Sequence, residues 1–212
     1  MKRNGVILLL LMMMYNAANA QFYIGLRDNR YALAGYKWHS GWNVQLDHSI
    51  FDESFKYQYI RCSGGFQFEK NKYFKLAASP FVGTTYCANF YDLGINLSGS
   101  VAPVKWLGID AEINPRYDSD YGYKTCYMLG TAFNVNKELT ILAQYNAIPE
   151  YRISEKRVKI GLRLTVKNLQ VSPMVSLPVE GNTKALRILV GLRYEFSERK
   201  KLNSKTDEYS IR

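Results

Sequence analysis

Asp47-His48-Ser49 is the stretch of this chain that most resembles catalytic machinery. An acid, an imidazole and a hydroxyl are the parts a nucleophilic hydrolase assembles. Their spacing argues against that use. Consecutive residues of an extended strand point to opposite faces, so His48 lies away from both Asp47 and Ser49. The other histidine, His39, falls in a turn. Asp110 and Glu112, two apart, share a face, and paired carboxylates can do acid–base work; they read better as half of an ion-pair network. The segment Tyr117-Asp118-Ser119-Asp120-Tyr121-Gly122-Tyr123 offers two carboxylates, too few oxygens for a calcium loop. Its tyrosines suit an interfacial aromatic belt, or a contact surface. Cys62, Cys87 and Cys126 are odd in number and lack metal-ligand spacing, so they read as packing residues. Which pair, if any, is oxidised stays open. No catalytic residue, cofactor or metal site is assigned, and an enzyme is not expected.

The elements that position these residues follow a targeting segment. Lys2 and Arg3, then apolar Val6 to Met14, then Ala18-Asn19-Ala20 make residues 1–20 a signal peptide with Gln21 as the mature N-terminus. Beyond Ala20 no run of about eighteen apolar residues occurs, so no helix is expected to cross a membrane. Seventeen Tyr and ten Phe suit a β-rich chain with many interfacial aromatics. Net charge is +10, two units of which come from Lys2 and Arg3. Export argues against nucleic acid as the partner of that charge. The basic residues alternate along strands, which points to a solvated or paired interior.

Ala185–Phe196 shows the pattern most clearly. Leu186, Ile188, Val190, Leu192, Tyr194 and Phe196 fall on one face, and Arg187, Gly191, Arg193 and Glu195 fall on the other. One face suits hydrocarbon and ends in an aromatic pair; the other suits water or ion pairs. Similar segments recur from Gln21–Arg27 onward. Tight polar connections such as Glu69-Lys70-Asn71-Lys72, Ala102-Pro103 and Lys167-Asn168 alternate with longer ones such as 51–56, 84–89, 117–122 and 148–156. Short periplasmic turns and longer outer loops make the final strand run toward the periplasm. Parity then requires an even count. The sequence predicts an all-β, antiparallel up-and-down transmembrane barrel of twelve strands over residues 21–196, with ten as the alternative. A secreted β-sandwich shares the alternation but not the uninterrupted meander with its aromatic end.

The signal segment, the meander and the strand Leu186 to Phe196 together resemble the bacterial outer-membrane β-barrel proteins. The resemblance is one of architecture and carries no motif of a particular family. It implies the outer membrane of a Gram-negative bacterium, contact with outer-membrane lipid, and Tyr194 and Phe196 as the signal read by the barrel-assembly machinery. One departure is that Phe196 lies sixteen residues from the end. Residues 197–212 are read as a polar periplasmic tail. That tail, or the Tyr-rich loop 117–123, would be the place for other envelope proteins to bind.

The inward faces sort by charge. Arg157, Lys159, Arg163, Arg187 and Arg193 sit on the last strands, and Asp92, Asp110, Glu112 and Glu138 on the middle ones. A small barrel fills with side chains, so these groups are expected to pair across the lumen and plug it. The function expected first is a structural or accessory-subunit role in the cell envelope. The alternative is a narrow channel for small solutes, and the third reading is a lipid-modifying enzyme using His48.

Overall fold

The computed structural model describes residues 20–50, 58–71, 73–86, 89–148, 155–181 and 186–196. The signal segment up to residue 19, Cys87 and the tail 197–212 lie outside these. Twelve strands run in order: β1 (Ala20–Arg27), β2 (Tyr31–Trp38), β3 (Trp42–Ser49), β4 (Tyr59–Asn71), β5 (Phe74–Thr85) and β6 (Tyr91–Val104), then β7 (Leu107–Asp118), β8 (Gly122–Asn134), β9 (Leu139–Ile148), β10 (Glu155–Val166), β11 (Leu169–Gly181) and β12 (Arg187–Phe196). Each pairs antiparallel with its neighbours in sequence, and β1 pairs with β12, which closes the sheet. Closure leaves no strand edge unpaired, as hydrocarbon surroundings demand. The count is the twelve expected rather than ten.

Alternation decides which face is which. On β12, Ile188, Leu192, Tyr194 and Phe196 are exposed on the outer wall; Arg187 and Arg193 turn inward. The same parity holds on β10, where Ile160, Leu162, Leu164 and Val166 face out and Lys159 and Arg163 face in. A one-residue slip would turn every arginine toward lipid, so the pattern itself pins the register. Aromatic residues ring both ends of the outer wall. Tyr86, Tyr91, Tyr117 and Tyr123 lie at the end with the longer connections; Trp42, Tyr73, Trp106, Phe133, Tyr194 and Phe196 lie at the other. Phe22 packs on Phe196 at 5.3 Å across β1 and β12, and Trp106, just ahead of β7, stacks on Phe133 of β8 at 6.4 Å. This is the exterior of an outer-membrane β-barrel: an apolar band between two aromatic girdles.

One connection differs from expectation. The β6–β7 turn is Lys105-Trp106, not Ala102-Pro103. A register shift between Val101 and Val104 absorbs the extra residues, and Ala102 N–H donates back to the Tyr73 carbonyl at 2.8 Å. Pro103 has no N–H to give, so the ladder bulges there instead of turning.

Two glycines make room inside the wall. A Cβ at Gly35 would lie 2.5 Å from the Tyr23 ring, and one at Gly83 would lie 2.2 Å from the Tyr59 hydroxyl. Both positions let a lumenal tyrosine lie flat against the neighbouring strand.

Candidate functional site: the barrel lumen

Inward side chains from all twelve strands surround a cavity of about 570 Å³. Its charged lining is Arg27, Arg61, Lys159, Arg163 and Arg193 against Glu112 and Asp28. The rest of the lining is largely amide and hydroxyl: Gln45, Ser63, Asn96, Asn114, Gln144 and Asn146 are examples. A smaller cavity of about 290 Å³ adjoins it and is lined by Arg30, Tyr31, Arg157, Ser176 and Arg187 among others. Asp28, Glu112, Asn146 and Lys159 border both. A separate apolar concavity of about 740 Å³ lies on the membrane face, where Ala78, Gly99 and Ala111 sit low between Leu76, Leu97, Phe66 and Leu129. It is a lipid-facing surface, not a route for solutes.

Most acidic residues pair with neighbours along the wall; Asp28, which reaches Lys159, spans several strands. Asp47 is fully buried on β3; it accepts from Gln45 Nε2 at 2.9 Å and from Arg61 Nε and Nη2 at 2.9 and 2.7 Å. Arg27 Nη2 stands 3.5 Å from the same carboxylate. Asp92, also fully buried, accepts from the Tyr59 hydroxyl at 2.6 Å and pairs with Arg116 on the next strand. Asp118 pairs with Lys124 at 2.5 Å and accepts from Tyr121 N–H at 2.8 Å. Asp110 accepts from Ser100 Oγ at 2.6 Å. Buried carboxylates are tolerable when each has a cation and further donors, and these strands supply both.

That placement pairs most of the acids within their own wall, and the opposite wall is rich in bases. On the opposite wall, Arg157 donates to Ser176 Oγ and Ser176 O, at 2.7 and 2.9 Å. Arg193 lies 4.1 Å from the Tyr23 ring centre, with Nε 3.0 Å from Glu195 Oε1. Lys159 reaches Asp28 at 3.6 Å. Arg187 lines the smaller cavity. Arg163 has no hydrogen bond or ion pair among the described residues, and neither has Glu112. Glu138 is not in the lumen. It is exposed in the β8–β9 turn, where its N–H and that of Leu139 both donate to Asn136 Oδ1 at 2.8 Å. Strand β9 begins only at Leu139, so parity never applied to it.

Sequence reasoning missed Arg27, Asp47, Arg61 and Lys124, although period two was the signal that finds them. It also missed Phe81, a buried lumenal ring with the Arg61 and Arg116 guanidiniums at 5.2 and 5.7 Å. The tempting triplet is split as its spacing requires. Asp47 faces in; His48 faces out, its Nε2 3.0 Å from the Tyr86 hydroxyl. Of segment 117–123 only residues 119–121 form the turn; Asp118 is buried at the end of β7 and Asp120 is exposed. Cys62 is exposed on the outer face and Cys126 lines the smaller cavity, so opposite faces of the sheet separate them. No cluster of metal-ligating side chains occurs among the described residues.

No protein-family model matches this chain, and no curated protein matches it. Solved structures do. A KdgM porin in complex with disordered oligogalacturonate superposes with a TM-score of 0.63 at 11% identity, covering 84% of this chain and 99% of that one. A second KdgM porin structure gives 0.61 at 11% over the same shares. A NanC porin gives 0.54 at 8%, covering 84% of this chain and 100% of that one. At such identities the likeness is one of fold: a closed, porin-like barrel of the bacterial outer membrane.

Proposed function

We propose that this outer-membrane barrel is a narrow passive channel for small hydrophilic solutes that carry a carboxylate. The observation that carries the reading is the lumen itself. Most of its acids are paired with neighbours in the wall, while Arg163 has no partner among the described residues and Lys159, Arg61 and Arg193 border a polar cavity of about 570 Å³. Barrels of eight strands are wide enough only for their own side chains, and those of sixteen or more leave an aqueous channel. Twelve strands lie between, and unfilled polar space fits that width. A basic interior raises the local concentration of anions along the path. That a porin sharing this fold is in complex with oligogalacturonate agrees with an anionic cargo. A structural or accessory role, the first expectation from sequence, has less behind it, because a plugged interior needs more ion pairs across the lumen than the single Lys159–Asp28 contact among the described residues.

The test is conductance of the refolded protein in planar bilayers. Discrete steps are expected, with a reversal potential in a salt gradient that favours the anion, and Arg163→Gln should weaken that preference. No steps above background would overturn the channel reading.

A further inference from the structure

The junction between the two lumenal cavities is charged differently from the cavities themselves. Four residues border both: Asp28, Glu112, Asn146 and Lys159. They contribute two carboxylates and one ammonium. On one side lie Arg157 and Arg187, on the other Arg27, Arg61, Arg163 and Arg193. A solute moving along the lumen therefore meets basic, then acidic, then basic surroundings.

Asp28 is not there by accident of a loose side chain. Asp28 sits in the β1–β2 turn with Asn29, at φ 54° and 59°, the left-handed geometry of a type I′ hairpin. The Asn29 side chain fastens that turn to β12: its Nδ2 donates to Ile188 O at 3.0 Å, and its Oδ1 accepts from Val190 N–H at 2.9 Å. The turn is thus pinned against the wall, and Asp28 projects from it to Lys159 two strands beyond β12. Glu112 stands on β7, far round the barrel, with no partner among the described residues.

The uncharged groups repeat the asymmetry. Asn96 on β6 and Asn114 on β7 each bury a side-chain oxygen that accepts no hydrogen bond, beside Glu112. Asn146 on β9 buries an Nδ2 that donates none, opposite Arg157 and diagonal to Lys159 on β10. The two oxygens nearest Glu112 want a donor and the amide nearest Lys159 wants an acceptor, while Arg116 Nε, farther along β7, is a donor also left over. Buried polar atoms are rarely left so without a ligand or water to satisfy them.

We infer that the solutes favoured here are small zwitterions, carrying an ammonium as well as a carboxylate, as α-amino acids do. This inference rests on the channel reading and narrows it. The carboxylate is met by Lys159 and Arg163, and the ammonium by Glu112 with the Asn96 and Asn114 oxygens. A simple anion is drawn into the cavities and opposed at the junction. A simple cation is opposed before it arrives.

Serine and glycerate test it, since they differ only by an ammonium in place of a hydroxyl. Proteoliposomes containing the full chain would be followed by light scattering at equal osmolarity of each solute, with potassium as the glycerate counter-ion and valinomycin present so that charge movement does not limit entry. Serine should enter about fivefold faster, the effect of one added charge contact fully screened by water. Glu112→Gln should bring the two rates together while keeping anion selectivity in potassium chloride. Asp28→Asn serves the same purpose if the first variant fails to insert, with insertion judged by compact migration of the unboiled protein. Equal entry of both solutes into wild-type vesicles, or a serine preference unchanged in an inserted variant, would overturn the inference and leave the channel standing. Entry of neither solute would overturn the channel as well.

Discussion

At the scale of single residues, the lumenal carboxylates act as rivets before they act on solutes. Asp47 has no exposed surface and holds Arg61, which in turn lies over the Phe81 ring. Removing one member of such a pair strands the other, which generally costs about 3–5 kcal/mol. Arg61 borders the lumenal cavity and can be partly solvated there, so the low end applies. Asp47→Ala should lower stability by about 3 kcal/mol in urea unfolding from lipid vesicles; a change under about 0.5 kcal/mol, ordinary for a surface substitution, would mean the pair is not structural. That inward residues carry these charges was legible from period two alone. Which acid finds which base was not. Asp47 meets Arg61 because β3 pairs with β4 in a register where the two are opposed, and a sequence does not print its register. The same gap explains Glu138, whose place in the chain suggested a strand but whose Asn136 neighbour captured its backbone in a turn.

At the scale of the strand, parity is the testable claim. Leu162 and Arg163 are adjacent on β10, the first 40% exposed on the membrane side and the second lining the lumen. Arginine at a mid-membrane lipid-facing site costs about 2–4 kcal/mol. Leu162→Arg should therefore reduce the yield of heat-modifiable barrel on refolding into vesicles, while Arg163→Leu should refold normally and show a weakened anion preference. Equal effects of the two would mean β10 has been assigned the wrong face. Strand positions and their alternation were readable because lipid and lumen impose opposite chemistry on successive residues. The β6–β7 bend was not, since Ala102-Pro103 is good turn chemistry. Only the hydrogen bond from Ala102 to Tyr73 on the neighbouring strand shows that the ladder continues past it to Val104.

At the scale of the whole molecule, everything said of the lumen depends on closure between β1 and β12, the pairing most distant in sequence. Ile24 is opposite Tyr194 and Phe22 opposite Phe196 across this seam, with Gln21 Nε2 donating to Glu195 Oε2 at 2.8 Å on the inner side. The expectation of an even strand count already demanded closure, yet it left open whether Gln21–Trp38 joined the sheet. What decides it is local: Asp28-Asn29 makes a tight hairpin, and Phe22 and Ile24 supply the outward residues that Tyr194 and Phe196 need as neighbours. Directly opposed residues of antiparallel strands have Cα atoms about 4.5–5.5 Å apart, within the range a disulfide spans. The double substitution Ile24→Cys and Tyr194→Cys, made after replacing the three native cysteines with serine, should therefore cross-link on mild oxidation of the folded protein. The resulting loop encloses nearly the entire barrel, so the boiled, unreduced band should migrate faster than the reduced one. Shifting one partner to Ile24→Cys with Arg193→Cys points the thiols to opposite faces and should abolish the cross-link. Cross-linking in the mismatched pair and not in the matched one would place the seam one residue out of register, which would turn the Arg187 and Arg193 wall toward lipid and remove the basis for a solute path.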